Sequence, residues 1–600
     1  MAFFSGDYIV RGTKMRCFID SRFWQSVFVG ATIWSVAAPA DGALQAYLMN
    51  MPAPDGNGQF SSVGTPTLSD AGHISFTGTI ANTSGGSSSS DRFGLFRIET
   101  NGSITQIARG LQTSPSGAEV FGATFNSVPL SSGDGDVAFT ASREAIIGTA
   151  GVYRGAPLTK IAERLDPAPD GNGILTLFSV GGVNQGGQVA FSSNLSNVTP
   201  ANADNGIFRG DGTSLVQIVR TADPTPGGLG TFTLIGSPRL NESGDVAFFA
   251  QTTEPGVNTG LFRGSGVAIT PIVKQGQPAP AWGGGADGVY STLAGDFAFN
   301  DAGEAVFSAK INGSSSPGFA MFRSDGVNSA MIFVSGIPAP TSAGGTSGTF
   351  SNFQPPSINN HGEVVTVAGL LGTPGGASDN RGIFVSDGDS IRQVMRNGDP
   401  APDGNGTLAV TSFPTALVLN DAGQTIFQAS HTGATPGTET GIYFHDPVLG
   451  LRTVVRTGQT ILGQTVTSLA IVEGMPFQSS SQLERSGLNE LGQVAFRFTA
   501  DGGAQGLAIW SPPSPADFNQ DGDVDGDDLA AWSASYGESS ATLADGDANG
   551  DDVVDGADFL IWQRQSTDAS SADLNAVPEP SAALLTILAA SFLCGACKRA

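Results

Sequence analysis

The sequence predicts an all-β protein: a β-propeller-like array of about eight four-stranded repeats, followed by a small EF-hand-type α-helical module and a C-terminal hydrophobic helix. A nine-residue pattern with a central glycine carries the repeat, and it is clearest in Leu240–Phe248, Phe299–Phe307, Leu419–Phe427 and Leu488–Phe496. A recurring period near sixty residues indicates a repeat architecture. The central glycines are Gly72, Gly135, Gly187, Gly244, Gly303, Gly362, Gly423 and Gly492. The composition, with 83 Gly, 34 Pro and only 14% charged residues, favours short strands joined by turns.

Each repeat in 47–512 has the same parts in the same order. A Pro/Gly turn, such as Asp166–Gly173, precedes a strand with an aromatic position, and an Asn-Asp-x-Gly turn leads into the second strand. Asn or Asp caps its own backbone in such a turn, and Gly takes the positive φ. The third strand carries Gly-Leu-Phe-Arg, as in Gly206–Arg209, and the fourth alternates, as in Ile391–Arg396. The aromatic positions are Phe60, Phe121, Phe178, Phe232, Tyr290 and Phe350.

Four short strands per repeat predict propeller blades that pack on one another through the phenylalanine closing the repeated pattern. These residues include Phe139, Phe191, Phe248, Phe307 and Phe427. Eight repeats predict eight blades. Because the glycine spacings run from 52 to 69 residues, seven blades with one irregular unit stay open. A two-sheet β-sandwich array is the alternative fold.

The repeated body resembles the bacterial extracellular repeat proteins with an Asn-x-x-Gly-x-Val pattern, including HAF-type repeats, and the choice-of-anchor families. The resemblance covers nearly all of 47–512 and implies export. Its motifs are structural, so it implies no activity.

The charge and cysteine content exclude several classes of function. A net charge of -26 argues against nucleic acid, whose phosphates need Lys and Arg, and about fifteen of the acidic residues lie in 517–573. The three cysteines, Cys17, Cys594 and Cys597, all lie near the chain ends, so the body uses neither disulfides nor thiolate metal sites.

No catalytic residue is predicted, and the chain is not expected to be an enzyme. The four histidines, His73, His361, His431 and His445, have no partners at metal-ligand spacing, and no nucleophile elbow, His-Glu-x-x-His or P-loop occurs. Acidic residues recur at the turns, which indicates that they serve the repeat. Repeated arginines could line a groove for an anionic sugar, although ion pairs at blade edges are the favoured interpretation. They are Arg97, Arg154, Arg209, Arg263 and Arg323.

The segment 513–566 predicts two calcium loops. Calcium takes six to eight oxygen ligands, and a twelve-residue EF-hand-type loop supplies them from positions 1, 3, 5, 7, 9 and 12. In the first loop these are Asp517, Asn519, Asp521, the Asp523 carbonyl, Asp525 and Asp528; in the second they are Asp547, Asn549, Asp551, the Val553 carbonyl, Asp555 and Asp558. Asp552 stands where Gly is usual at position 6. Val524 is expected to form a short β contact with the second loop. Two structural calcium ions are therefore predicted.

A helix is expected after each loop, Leu529–Tyr536 and Phe559–Trp562, and the arrangement resembles a type I dockerin. That resemblance implies a cohesin-like partner, recognised through loop positions 10 and 11, here Gly526-Asp527 and Gly556-Ala557. These pairs differ from the Ser/Thr pairs of cellulosomal dockerins. A calcium-stiffened spacer is an equal interpretation.

The two ends predict export and sorting. Residues 1–46 have a basic region, an apolar run and the cleavage pattern Ala38-Pro39-Ala40, with Met1 or Met15 as the start. After the 567–576 linker, residues 577–600 combine Pro578-Glu579-Pro580, the apolar run Ala582–Cys597 and a basic end. This tail resembles the PEP-CTERM sorting signal, which implies a transmembrane helix and an exosortase-type processing enzyme. A plain membrane anchor is the alternative.

These features together predict an exported, surface-sorted structural or binding protein of the cell envelope or extracellular matrix. The alternative is a polysaccharide-active propeller enzyme, a hydrolase or lyase, recruited through the dockerin-like module. A polysaccharide is the expected ligand in both cases.

Overall fold

The repeated strands pair into eight antiparallel sheets within the described residues, and these sheets are the blades of an eight-bladed β-propeller. The prediction of an all-β propeller is confirmed, and the sandwich alternative is excluded. The computed structural model describes residues 34–38, 42–86, 88–117, 119–125, 128–144, 146–155, 157–313, 319–410, 417–471, 487–519 and 524–566.

Each blade is built from four main strands, and a short strand often continues the first of them. The N-terminal strands are β1 (Trp34–Ala38) and β2 (Gly42–Leu48). Blade 1 has β3 (Gln59–Val63), β4 (Thr67–Leu68), β5 (Ile74–Ala81), β6 (Phe93–Ile98) and β7 (Ile104–Arg109). Blade 2 has β8 (Phe121–Phe125), β9 (Leu130–Ser131), β10 (Val137–Arg143), β11 (Ile146–Gly155) and β12 (Thr159–Glu163). Blade 3 has β13 (Ile174–Val183), β14 (Val189–Ser196), β15 (Asn205–Gly210) and β16 (Leu215–Arg220). Blade 4 has β17 (Phe232–Ile235), β18 (Arg239–Leu240), β19 (Val246–Thr252), β20 (Thr259–Gly264) and β21 (Ile269–Lys274).

The second half of the ring repeats this order. Blade 5 has β22 (Pro278–Pro280), β23 (Ala286–Phe299), β24 (Ala305–Asn312), β25 (Phe319–Ser324) and β26 (Ser329–Val334). Blade 6 has β27 (Pro338–Pro340), β28 (Thr346–Phe353), β29 (Ser357–Ile358), β30 (Val364–Leu371), β31 (Arg381–Ser386) and β32 (Ile391–Arg396). Blade 7 has β33 (Thr407–Ala409), β34 (Val418–Leu419), β35 (Thr425–Thr432), β36 (Thr440–Asp446) and β37 (Gly450–Arg456). Blade 8 has β38 (Thr460–Ile461), β39 (Gln464–Ala470), β40 (Val494–Ala500) and β41 (Gln505–Ser511).

The N-terminal strand β2 closes the ring. It pairs antiparallel with β41 from Ala43 opposite Ser511 to Leu48 opposite Gly506, so blade 8 is built from both ends of the body. β1 pairs in turn with β2 and extends the same sheet. The Asn489 side-chain amide donates to the Ser69 carbonyl at 3.1 Å and joins blade 8 to blade 1 a second time.

Aromatic clusters fill the spaces between blades, as the sequence predicts. In blade 4 the rings of Phe232, Phe248 and Phe262 touch, with Phe232 edge-on to Phe262 at 5.0 Å between centroids. This group packs against Ile207 and Ile218 of blade 3. Eight such clusters lie between neighbouring blades of the described ring. Phe139, Phe191, Phe248, Phe307 and Phe427 are all buried within them.

The segment after the propeller forms a separate two-helix module. Its helices are α1 (Gly526–Ser535) and α2 (Gly556–Gln565). Both begin three residues before the predicted start, because Asp525 and Asp555 act as N-caps in complete capping boxes. Phe518, Val524 and Ala548 form the small core between the helices.

Several predicted features fall outside the described residues: residues 1–33 and 39–41 of the leader, the 567–576 linker and the tail 577–600. Among the helices that the structure describes, none has the length and apolar character to cross a membrane.

Candidate functional site

The second predicted calcium loop is described in full, and its carboxylates organise the backbone. The Asp547 carboxylate, 3% exposed, accepts N–H bonds from Gly550 and Asp551 on Oδ1, at 2.8 and 3.3 Å, and from Asp552 on Oδ2 at 2.9 Å. Asp552 adopts φ 67°, so it takes the left-handed conformation that Gly usually supplies at this position. The loop therefore keeps the expected turn despite the substitution.

The position-12 aspartates are fully buried and bonded in the same way in both loops. Asp558 Oδ1 accepts from the amides of Ala548 and Asn549 at 2.9 and 3.1 Å, and Oδ2 accepts from Asp555 at 2.7 Å. Asp528 has the equivalent bonds to Phe518, Asn519 and Asp525. A carboxylate has about four lone-pair sites, so each side chain keeps one on Oδ2 for a further ligand.

The first loop is described only in part. Asp517 is 5% exposed, Asn519 is exposed, and Asp525 caps α1, whereas Asp521 and Asp523 lie outside the described residues. In the second loop, the Asn549 side chain bonds Asp551, whose carboxylate accepts the Val553 amide at 3.0 Å. Within the described ranges, no group of three or more Asp, Glu, His or Cys side chains is gathered tightly enough to hold a metal ion.

The charges of the module are nevertheless almost all negative. Asp517, Asp528, Asp547 and Asp558 are buried, and Arg564, which is exposed, is the only basic residue in the 513–566 sequence. A buried carboxylate is costly unless it is paired, hydrogen-bonded or bound to a metal ion. The backbone amides satisfy part of this need, and a divalent cation would satisfy the rest. The kinds of oxygen atom and their order along each loop fit calcium, although the carboxylates accept hydrogen bonds from backbone amides in this structure.

Two tryptophans tie the loops together. The Trp532 indole of α1 donates to the Asp555 carbonyl at the start of α2, and the Trp562 indole of α2 donates to the Asp525 carbonyl at the start of α1, both at 2.9 Å. Each helix therefore fixes position 9 of the other loop. Val554 pairs through its backbone with Gly537 and Glu538 of the intervening segment.

The repeated arginines join neighbouring blades. Arg97 donates to the Gly135 carbonyl at 3.0 Å, and Arg263 donates to the Gly303 carbonyl at 3.3 Å. Arg154, Arg209 and Arg323 bond the corresponding glycine carbonyls of the next blade. Each glycine is the centre of the repeated turn. The geometry supports the interpretation of these arginines as contacts within the ring, because each of the five blades that carries the arginine uses it in the same way.

The acidic side chains of the repeated turns link neighbouring blades. The side chains of Glu242, Asp301, Glu490 and Asp70 accept backbone N–H bonds from the preceding blade, at 2.8 to 3.0 Å. Asp421 also accepts from the Asn360 amide at 2.7 Å. The asparagines beside them donate to the next blade's carbonyl, as Asn300 does to Asn359 at 3.0 Å. These acidic side chains join neighbouring blades, which agrees with the structural role that their recurrence predicts.

A second set of buried arginines was not predicted from the sequence. Arg220, at the end of β16, donates to Asp170, Asn172 and Ala203 of its own blade at 2.6 to 2.8 Å. Arg109 and Arg456 hold the other two Asp-Gly-Asn-Gly turns through Asp55 and Asp403. The signal was present in the sequence: the blades with this turn end their fourth strand in Arg.

Blade 2 reverses the charges at this place. Glu163 occupies the position of Arg220, and it pairs with Arg143 of β10 and accepts from the Tyr153 hydroxyl at 3.0 Å. Burial raises the pKa of Tyr153, and the nearby Glu163 raises it further. Arg143 also pairs with Glu119 at 3.1 Å. The cluster differs in composition from the other blades but lies at the same position of the repeat.

The four histidines are dispersed over the ring. His73 lies 3.3 Å from Glu99, His361 contacts the Asp421 carbonyl at 2.9 Å, and His431 contacts the Tyr443 hydroxyl. Burial, followed by the charge of Arg392, lowers the pKa of His445 to about 4.

Comparisons with known proteins address the family and the fold. A family model described as a family of unknown function (DUF7453) matches residues 29–202 and 99–516. A comparison with curated proteins gives no significant match.

Solved structures with a similar fold are remote in sequence. An oligogalacturonate lyase in complex with manganese is 13% identical, with a TM-score of 0.33, covering 81% of this chain and 97% of that one. The β-propeller domain of the Trilobed protease from Pyrococcus furiosus is 9% identical, with a TM-score of 0.32, covering 75% and 96%. An Aleuria aurantia lectin complex is 11% identical, with a TM-score of 0.24, covering 55% and 94%.

Proposed function

The chain belongs to the family of unknown function DUF7453, and from its own geometry we propose that it is an exported, surface-sorted binding or structural protein. Its propeller presents a repeated face to an extended polymer, and its C-terminal module is a calcium-binding, dockerin-like domain.

One observation carries the choice of a binding protein. The charged side chains that recur in the body are bonded across blades or within blades: Arg263 to Gly303, Glu242 to Gln185, and Arg220 to Asp170. A catalytic residue is usually unique in a repeat protein, whereas these have counterparts in other blades. A ring of equivalent units suits repeated, individually weak contacts with a polymer such as a polysaccharide.

A polysaccharide-active enzyme is the second candidate. The cluster of Arg143, Tyr153 and Glu163 favours it, because no other described blade has this composition. The cluster lies where other blades place an arginine that holds a turn, which favours a structural role. The first candidate is therefore preferred.

For the module, we propose two structural calcium ions. The predicted ligands Asp517, Asn519, Asp525 and Asp528 would hold the first with Asp521 and the Asp523 carbonyl. The second ion would take Asp547, Asn549, Asp551, the Val553 carbonyl, Asp555 and Asp558. Calcium would supply the positive charge that the buried carboxylates lack. A cohesin-like protein is the proposed partner of the module.

Export and sorting remain part of the proposal. Cleavage at Ala38-Pro39-Ala40 would remove the edge strand β1 but leave β2 whole, whereas removal of all 46 residues would cut into the strand that closes the ring. We therefore place the mature start after Ala40. The tail would then be processed by an exosortase-type enzyme or kept as an anchor.

A retention assay tests the proposed function. The chain is incubated with acidic and neutral polysaccharides, and both retention and polymer chain length are recorded. Retention with unchanged length supports a binding protein. Shortening of the polymer supports the enzyme, and Glu163→Gln should then abolish it. If no polymer is retained and none is shortened, both candidate functions are contradicted.

A further inference from the structure

The hairpin between β36 and β37 of blade 7 contacts the second predicted calcium loop. Its tip residue Val448 is 45% exposed, whereas Val267 and Val327, on the corresponding hairpins of blades 4 and 5, are 96% and 89% exposed. Val448 lies against Gly550, and a Cβ built on Gly550 would lie 2.8 Å from Val448 Cγ1. The module therefore covers one hairpin of the propeller, and only glycine fits at the contact.

Hydrogen bonds to Asp446 hold the tip of the blade 7 hairpin that presents Val448. Asp446 accepts the amides of Val448 and Leu449 on Oδ1, at 2.7 and 2.9 Å, and its Oδ2 accepts from Gln424 at 2.7 Å. The hairpin tip carries the apolar run Pro447-Val448-Leu449, where the equivalent tips of blades 4 and 5 have Ser265-Gly266-Val267 and Asp325-Gly326-Val327. This hairpin is thus suited to an apolar contact.

Gly550 is held in place by a predicted calcium ligand. Its amide donates to Asp547 Oδ1 at 2.8 Å, and its φ is 71°. Five aspartates lie between positions 547 and 558 of the sequence, with no basic residue among them. Without a bound cation these carboxylates repel one another, and the conformation that presents Gly550 to Val448 becomes less populated.

We propose that the module docks on the blade 7 hairpin in a calcium-dependent way, so that calcium fixes the angle between the propeller and the module. Val448 is the docking point on the propeller, and Gly550 is the docking point on the module. This inference rests on the proposed calcium binding. Its consequence is that the module's partner face is held in one orientation only when the second loop is loaded.

A disulfide trap tests the docking in the full chain. Cys17, Cys594 and Cys597 are replaced by Ser, and Val448→Cys is combined with Gly550→Cys. The Cβ of Val448 lies 3.5 Å from the Cβ position of Gly550, at the short end of the range of about 3.5 to 4.5 Å found in disulfides. Oxidation is followed by mass spectrometry in calcium and in chelator. We expect cross-linking at least tenfold faster in calcium. Addition of Asp547→Asn should give the slow rate in both conditions.

Two controls keep the result interpretable. Val327→Cys with Gly550→Cys should not cross-link, because that hairpin is free of the module. Val448→Asp should speed proteolysis of residues 512–515, which join β41 to the module, severalfold in calcium, and Val327→Asp should leave it unchanged. The Val448→Asp test does not depend on a cysteine at a left-handed position.

The outcomes separate the two proposals. Equal cross-linking with and without calcium would overturn the calcium dependence. The docking itself would be overturned if no cross-link formed in either condition and Val448→Asp left the rate of proteolysis unchanged. Calorimetry on the same protein shows whether calcium binds at all. Absence of binding would refute the calcium sites, whereas binding without faster cross-linking would refute only this inference.

Discussion

Replacing Arg220 with Met should destabilise the propeller by about 3 kcal/mol, because two carbonyls lose hydrogen bonds to a charged donor that are worth about 1.5 to 3 kcal/mol each. The Arg220 side chain is 2% exposed and makes three bonds, to Asp170 Oδ2 at 2.8 Å and to the carbonyls of Asn172 and Ala203, both at 2.6 Å. Met keeps most of the volume but donates no hydrogen bond. The two carbonyls then lose their charged donor, while Asp170, 37% exposed, regains water.

Urea unfolding monitored by tryptophan fluorescence measures this loss, with amide exchange in blade 3 as a local check. Arg263→Met is the matched control. Arg263 is 30% exposed and lies 3.7 Å from Asp245, so its loss should cost under about 1 kcal/mol. Equal effects of the two substitutions would refute the claim that the buried arginines hold the Asp-Gly-Asn-Gly turns.

Three further predictions concern pH, the repeated turn and ring closure. Burial lowers the pKa of His445 to about 4, so its contribution to the free energy of unfolding is complete above the unfolded-state pKa of 6.5 and falls by about 3 kcal/mol as the pH drops to 4. His445→Gln should remove this part of the decrease when the free energy of unfolding is compared at pH 7 and 4.5. An unchanged decrease would contradict the assignment to His445. A Cβ added at Gly303 would clash with Arg263 Nη1, whereas Gly372 has a similar φ and open space around it, so Gly303→Ala should lower the melting temperature more than Gly372→Ala. Equal losses would mean that only backbone strain matters. Removal of 42–48 unpairs β41, so amide exchange should accelerate there and not in blade 4; uniform acceleration would argue against a local closure.

The parts of the fold that the sequence predicts depend on local chemistry. Asn300 and Gly303 specify a turn within four residues: the Asn300 side chain accepts the Glu304 amide at 2.8 Å, and Gly303 has φ 80°. The alternating strand Ile391–Arg396 is β32, with the bounds that the pattern indicates. Eight copies of such local signals are sufficient to predict the blades.

The contacts that join distant parts of the chain were harder to predict. The sequence pattern places most of β2 in the leader, because its partner β41 lies more than 450 residues away and nothing local marks Gly42–Leu48 as a closing strand. Arg220 meets Asp170 across 50 residues, and only the co-occurrence of the turn with a terminal Arg in three blades indicates the pair.

The candidate calcium loops combine features that the sequence indicates with contacts that it does not. The order of the predicted ligands can be read from the sequence, and a helix follows each loop as expected. The sequence did not indicate that Asp528 and Asp558 would be buried as acceptors of backbone amides, or that Trp532 and Trp562 would each bond the other loop. These contacts depend on how the two helices pack, which the loop pattern does not specify.

Calcium binding by the full chain is the most direct test of the account. Isothermal titration calorimetry with tryptophan fluorescence should give two ions per chain and a change at Trp532 and Trp562. Asp547→Asn should remove one ion. Chelation should increase protease cleavage in 517–562 and leave the body intact. No bound calcium, or equal cleavage with and without it, would contradict a calcium-held module.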